Sequence, residues 1–247
     1  MVDSQNNPYD VLAVIPARKG SKGLPGKNMK EFNGKPLLYW TLLAATQSNQ
    51  ITTTILSTDS DEAASLAEQL GIRVPWIRSA ELATDEATTA DVVIDALRKE
   101  SLKKKEYRFV LVLEPTSPLR KRGEIDEIVI KLTKTQTTTD AIVTAGRVGF
   151  HPSAIMKKDG ALAKPYIEDM RFENRRQDGE PAYLPTGNCF AIKTDVFLTG
   201  RSFYPEKVEI HELEPFQVFE IDDLTDFELV EFLYQRHKDW LISPPAF

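Results

Sequence analysis

Positions 11–15, Val-Leu-Ala-Val-Ile, form an unbroken apolar run without alternation, which predicts a short parallel strand covered on both faces. Pro16 is expected to end its ladder. Across residues 36–48 the period changes: Leu37, Trp40, Thr41 and Ala44 recur at helical spacing. The alternation then continues with a strand at 53–57, a helix at 59–70 with acidic residues in its first turn, a short strand at 74–77 and a helix at 88–100. A buried strand at 109–113, a helix at 123–133 and a strand at 141–144 follow. This succession implies right-handed crossovers and an α/β fold, a mostly parallel central sheet with helices on both faces.

Beyond Val148 the periodicity fades. Residues 149–183 carry scattered prolines and the charged cluster Arg171, Glu173, Arg175 and Arg176, and they read as an excursion leaving the main sheet. Strands are expected again at 188–193 and 216–221, then a helix at 226–236 opened by a Thr225–Glu228 capping box. Residues 243–247 read as a tail. No repeat or low-complexity segment interrupts the chain, so 1–247 is taken as one domain with a protruding excursion.

Composition narrows the class. The chain has 247 residues, enough for a substantial core in one α/β unit. Its single cysteine, Cys189, forbids an intrachain disulfide and fits a reducing cytoplasm. No apolar stretch reaches the ~18 residues of a membrane span, and the polar opening segment does not read as a secretory signal. The net charge of −6 argues against nucleic acid as the partner.

Against that acidic background one loop stands out. Between Arg18 and Lys35 there are six Lys or Arg residues and one acid, Glu31, a local charge of +5. Gly20, Gly23 and Gly26 fall at intervals of three and let the backbone wrap a ligand with its N–H groups inward. Arg18, Lys22 and Lys27 supply cations at the carboxyl end of the first strand, where open α/β sheets bind ligands. A triphosphate answers this demand best; the bland alternative is a solvated basic surface loop. Two familiar phosphate loops are excluded. Ser21 stands where a P-loop needs its first glycine and Asn28 where it needs Ser or Thr, and the dinucleotide fingerprint requires a tight turn straight into a helix.

A triphosphate also calls for a hard divalent cation and hence a carboxylate nearby. Glu220 and Asp222, two apart on an expected strand, would share a face; Asp223 reads as the start of a turn. Asp59 reads as a helix cap, and Asp85, Thr88 and Thr89 as a helix N-terminus with capping hydroxyls, a hydroxyl reading the base being the sharper alternative. His151, His211 and His237 show no metal-ligand spacing.

The segment ARKGSKGLPGKN at 17–28 resembles the signature of the CMP-sialic acid synthetase family of sugar-activating cytidylyltransferases. Further similar blocks follow in order: LSTDSDE at 56–62, IRSAELATDEATTADVV at 77–93, LEPTSPLR at 113–120 and EID at 220–222. The resemblance implies a nucleotide-diphospho-sugar transferase-like fold and a reaction in which a sugar hydroxyl attacks the α-phosphorus of CTP and pyrophosphate leaves. It implies Mg2+ as cofactor and a homodimer that the excursion helps to build. Arg18, Lys27 and Asp222 become the expected catalytic residues, with Lys22, Asn28, Arg78 and Thr88 also on the nucleotide and Glu220 beside Asp222 on the metal. Glu114, Ser117, Arg175 and Arg176 are the expected sugar contacts.

Three places along the chain depart from the sialate pattern. Glu114 replaces a common Gln, Ala154 a lysine, and Leu184-Pro185-Thr186-Gly187 the usual Arg-Pro-Asn-Gly. An ionised Glu at about 4 Å from a sugar carboxylate is repelled by ~4 kcal/mol at an effective dielectric of 20. The expected acceptor is therefore a relative of N-acetylneuraminic acid offering extra hydrogen-bond donors. A nucleotidyltransferase acting on a sugar phosphate is the alternative enzyme, and a nucleotide-binding module without turnover the alternative of another class.

Overall fold

The computed structural model describes residues 8–149, 152–167 and 180–244. Ten strands are described: β1 (Val11–Pro16), β2 (Glu31–Phe32), β3 (Lys35–Pro36), β4 (Thr53–Ser57), β5 (Phe109–Val112), β6 (Ala141–Arg147), β7 (Met156–Asp159), β8 (Leu162–Pro165), β9 (Tyr183–Lys193) and β10 (Val208–Glu212). The α-helices are α1 (Leu37–Thr46), α2 (Asp61–Gln69), α3 (Thr89–Ser101), α4 (Glu124–Thr135), α5 (Thr194–Gly200) and α6 (Leu224–His237). The main sheet has the order β10-β6-β9-β5-β1-β4. β1 runs parallel to β4 and β5, and β10 parallel to β6, while β9 opposes both its neighbours. The sheet is thus mixed but mostly parallel.

Side chains alternate across the sheet and build a core on each face. Val11, Ala13 and Ile15 of β1 pack with Leu38 and Leu42 of α1, Ala63 and Ala67 of α2, and Ile128 and Leu132 of α4. Leu12 and Val14 face the other way, onto Val93 and Leu97 of α3 and Phe197 of α5. That double coverage is why β1 reads as a continuous apolar run. A third cluster joins Phe32, Leu37, Trp40, Ile221, Phe227 and Tyr234, so α6 clamps the region after the cation loop against α1. Trp40 Nε1 donates to Phe32 O at 2.9 Å within it.

Pro16 is the last residue of β1 as expected, paired with Ser57, and just beyond it Ala17 N donates to Ser57 O at 2.9 Å. Several expectations are corrected. Residues 74–77 are not a strand; only Arg73 forms a bridge, to Ile55, where the chain skims the edge strand β4. The helix after β4 is capped by Ser60, whose side chain accepts from Ala63 N, and Asp59 is free for another role.

Residues 216–221 are not a strand either. A 3-10 turn, Pro215–Val218, forms there because Glu214 and Gln217 cap each other and the buried Gln217 Nε2 donates to Leu119 O and Glu124. The final helix is opened by an Asp223–Asp226 capping box in place of Thr225–Glu228. β10 and α5 had no expectation in the sequence. The excursion connects β6 to β9, closed by the Arg147–Tyr183 pair, and the described part of it holds the exposed hairpin β7–β8. At the tail, Ser243 is tied by Gln47 Nε2 and by Arg122, and 245–247 lie outside the described residues. Among the described residues, no helix is long and apolar enough to cross a membrane.

Candidate active site

The parallel strands β1, β4 and β5 end together, bringing Pro16, Ser57 and Glu114 to one edge. The cation loop closes over that edge through its own backbone: Asn28 Nδ2 donates to Arg18 O at 3.0 Å, and Lys19 N donates to Asp59 Oδ1 at 2.6 Å. Asp59 therefore pins the loop to the end of β4. Gly26, at φ 69°, turns the chain into the 3-10 segment Lys27–Met29.

Lys27 is almost wholly buried, and its Nζ donates to Ile221 O at 2.5 Å and to Asp222 Oδ1 at 3.2 Å. Loop and acidic segment are thus in direct contact, 195 residues apart in the chain. Gly23 makes the approach possible: a Cβ there would sit 2.2 Å from Asp222 O. Gly23→Ala is expected to push the loop off the 221–223 segment and weaken CTP binding about tenfold or more, read by calorimetric titration.

The acidic pair does not share a face. Glu220 turns inward, its Oε1 accepting from Ser117 Oγ at 2.5 Å and from Gly187 N at 2.6 Å. Asp222 turns outward with its side chain 83% exposed, leaving carboxylate oxygen open beside the loop. The difference follows from the absence of a strand, since two-residue alternation holds only in a pleated segment. Among the described residues, no three His, Cys, Asp or Glu side chains are grouped to hold a metal.

A cavity of about 200 Å³ lies under the loop, bounded by Arg18, Lys27, Asn28, Arg78, Thr89 and Glu114. Arg78 is buried, donating from Nε to Ser57 Oγ at 3.1 Å and from NH2 to Ser57 O at 2.5 Å, and burial lowers its pKa to about 10. Thr88 is the N-cap of α3, accepting from Asp91 N, and its hydroxyl points to Asp91. Its neighbour Thr89 meets the cavity instead and donates to Glu114 Oε1 at 3.4 Å.

Glu114 forms the floor. Burial first, then the charge of Glu220, push its pKa up. Gly187 backs it so closely that a Cβ would stand 2.7 Å from Glu114 Oε2. Arg120 is fully buried and donates to Asn188 O, Thr41 Oγ1 and Glu114 O at 2.8, 2.7 and 2.8 Å. It braces the 114–120 turn against β9 and α1, and burial lowers its pKa to about 10.

Two residues have surroundings that the sequence reading did not give. Asp85 binds Arg18 at 2.5 Å and Lys22 at 2.8 Å. Burial first, then the charge of Glu114 and Glu220, raise the phenol pKa of Tyr204. Nothing in the sequence marks Tyr204, and the pairing of Asp85 is long-range. Arg175, Arg176 and His151 lie outside the described residues. His211 sits 3.8 Å from Glu124, and His237 stacks on Phe216.

A mostly parallel sheet whose strand ends carry a closed cation loop opposite an outward carboxylate has the parts a nucleotidyltransferase site needs. The chain belongs to the cytidylyltransferase family, whose model matches residues 12–243. It is 35% identical to the CMP-N,N'-diacetyllegionaminic acid synthase of Legionella pneumophila, covering 94% of this chain and 99% of that one. It is 33% identical to an N-acylneuraminate cytidylyltransferase of Streptococcus agalactiae serotype V, covering 87% of this chain and 51% of the relative, so it spans about half that relative's length. The fold matches the structure of CMP:2-keto-3-deoxy-manno-octonic acid synthetase solved with CTP, with TM-score 0.65, 17% identity and coverage of 92% of this chain and 99% of that one.

Proposed function

We propose that the enzyme transfers CMP from CTP to a hydroxyl of a nonulosonic acid and releases pyrophosphate. The observation that carries this reading is the meeting of the cation loop with Asp222 through Lys27 Nζ. Arg18, Lys22 and Lys27 neutralise the triphosphate, and Asn28 holds the loop closed behind Arg18. Arg78 and Thr89 bound the base and ribose side, Thr88 serving them as a cap. Catalysis then comes from positioning and from charge placed where the leaving oxygens develop theirs.

Cytidylyltransferases of this kind use a divalent metal, and Mg2+ suits the donors present. Mg2+ binds through one or two carboxylates plus substrate phosphates, with no all-protein cage. Asp222 offers such a carboxylate, and Glu220, already satisfied by Ser117 and Gly187, would act behind it. Bound there, the ion would increase the electrophilicity of the α-phosphorus. A homodimer, a cytoplasmic setting where CTP is made, and a role for Arg175 and Arg176 in holding the sugar carboxylate complete the proposal.

The acceptor falls on the side of Glu114 and Ser117. A buried carboxyl at 114 favours a sugar with an additional N–H donor, of the diacetamido type named in the Legionella relative. Its raised pKa eases the repulsion an acidic sugar would otherwise meet. The test is pyrophosphate release with four nucleoside triphosphates against N-acetylneuraminic acid, N,N'-diacetyllegionaminic acid and a sugar 1-phosphate. CTP with the diacetamido sugar should lead; turnover of the sugar phosphate alone would overturn the reading. In the same assay Glu114→Gln should shift the kcat/KM ratio toward N-acetylneuraminic acid by about tenfold.

A further inference from the structure

Asp85 stands between the 3-10 turn Ala80–Leu82 and the start of α3, and its two oxygens are shared between two loop cations. Oδ1 takes Arg18 NH1 at 2.5 Å and Oδ2 takes Lys22 Nζ at 2.8 Å. Lys22 and then Arg18 hold its carboxyl below the usual carboxylate range. These are two of the three cations assigned above to the triphosphate. A carboxylate presenting one oxygen to each of two cations makes the contacts that one edge of a phosphate would make.

We propose that Asp85 holds the place of a phosphate group between Arg18 and Lys22, and that an incoming polyphosphate must exchange with it. This inference rests on the anion-loop reading of the preceding section. A polyphosphate attracts both cations and repels the carboxylate between them, so the two ion pairs cannot persist unchanged once it is seated. The exchange is inexpensive because the side chains of Arg18, Lys22 and Asp85 are 31%, 78% and 35% exposed and water can take up the freed carboxylate. Asp85 therefore weakens the site for every ligand whose phosphates reach the two cations, and leaves a phosphate-free ligand untouched. Pyrophosphate, the leaving product, is such a ligand, and Asp85 returning to its cations assists its departure.

The test titrates pyrophosphate, CTP and cytidine into the wild-type enzyme and Asp85→Asn at two ionic strengths. Asp85→Asn should bind pyrophosphate about three- to thirtyfold more tightly, the gain shrinking in high salt, with cytidine affinity unchanged. Pyrophosphate bound equally or more weakly by Asp85→Asn overturns the proposal, as does an equal gain for cytidine. An Arg18→Ala arm separates the two levels: if that variant binds pyrophosphate like wild type, the anion-loop reading fails and the exchange with it. If Arg18→Ala loses affinity while Asp85→Asn gains none, the exchange alone fails. Asp85 is exposed, so melting temperatures should agree across the set; Asp85→Ala provides a second variant.

Discussion

Asp222→Asn is expected to lower CMP-sugar formation by about a thousandfold while the protein melts at its usual temperature. The expectation follows from the division of labour between two acids that the sequence places two apart. Glu220 is spent on Ser117 Oγ and Gly187 N, whereas Asp222 keeps its side chain 83% exposed at the mouth of the loop. Asparagine preserves shape and one oxygen, and Lys27 Nζ retains Ile221 O as its acceptor, so the loop stays closed. What disappears is the negative charge available to a divalent ion. Three measurements check this: turnover, its partial recovery at raised divalent-ion concentration, and metal-free CTP binding, which should be unchanged or tighter because a negative charge near the phosphates has gone. Near-normal turnover would remove Asp222 from the chemistry.

The sequence shows the parallel half of the fold clearly, because β1, β4 and β5 are buried on both faces or cross into helices with strong periodicity. The cation loop is equally legible, since its charge contrasts with an acidic chain and its glycines are spaced for close approach. Legibility ends where tertiary hydrogen bonds override local pattern. Residues 216–221 alternate well enough to suggest a strand, yet buried Gln217 binds Leu119 O and Glu124 and winds them into a turn. That one change separates Glu220 from Asp222. Nothing local marks Arg120 as the brace behind Glu114, because its acceptors come from β9, α1 and its own turn. Asp59 and Asp85 have the signature of helix starts, and only long-range pairing reveals them as anchors of the loop. β10 and α5 escaped notice because β10 is half exposed and α5 is only seven residues long.

Arg18→Ala is expected to reduce kcat/KM for CTP by about 10²–10³, most of it in kcat, with the fold intact. Truncation leaves the loop's closure in place, since Asn28 Nδ2 bonds to the backbone carbonyl of residue 18 and Lys19 N bonds to Asp59. The loss is therefore that of a planar, permanently charged fork at the cavity wall, not of loop order. The effect should exceed that of Lys22→Ala, because Lys22 is 78% exposed and its charge is screened, whereas Arg18 is 31% exposed and borders the cavity. Arg18→Lys separates charge from geometry. It keeps the positive charge but cannot offer two parallel donors, so it should restore CTP affinity better than turnover. Equal rescue of both would mean that Arg18 supplies only attraction for the ground-state triphosphate; wild-type kinetics in Arg18→Ala would place the phosphates elsewhere on the strand edge.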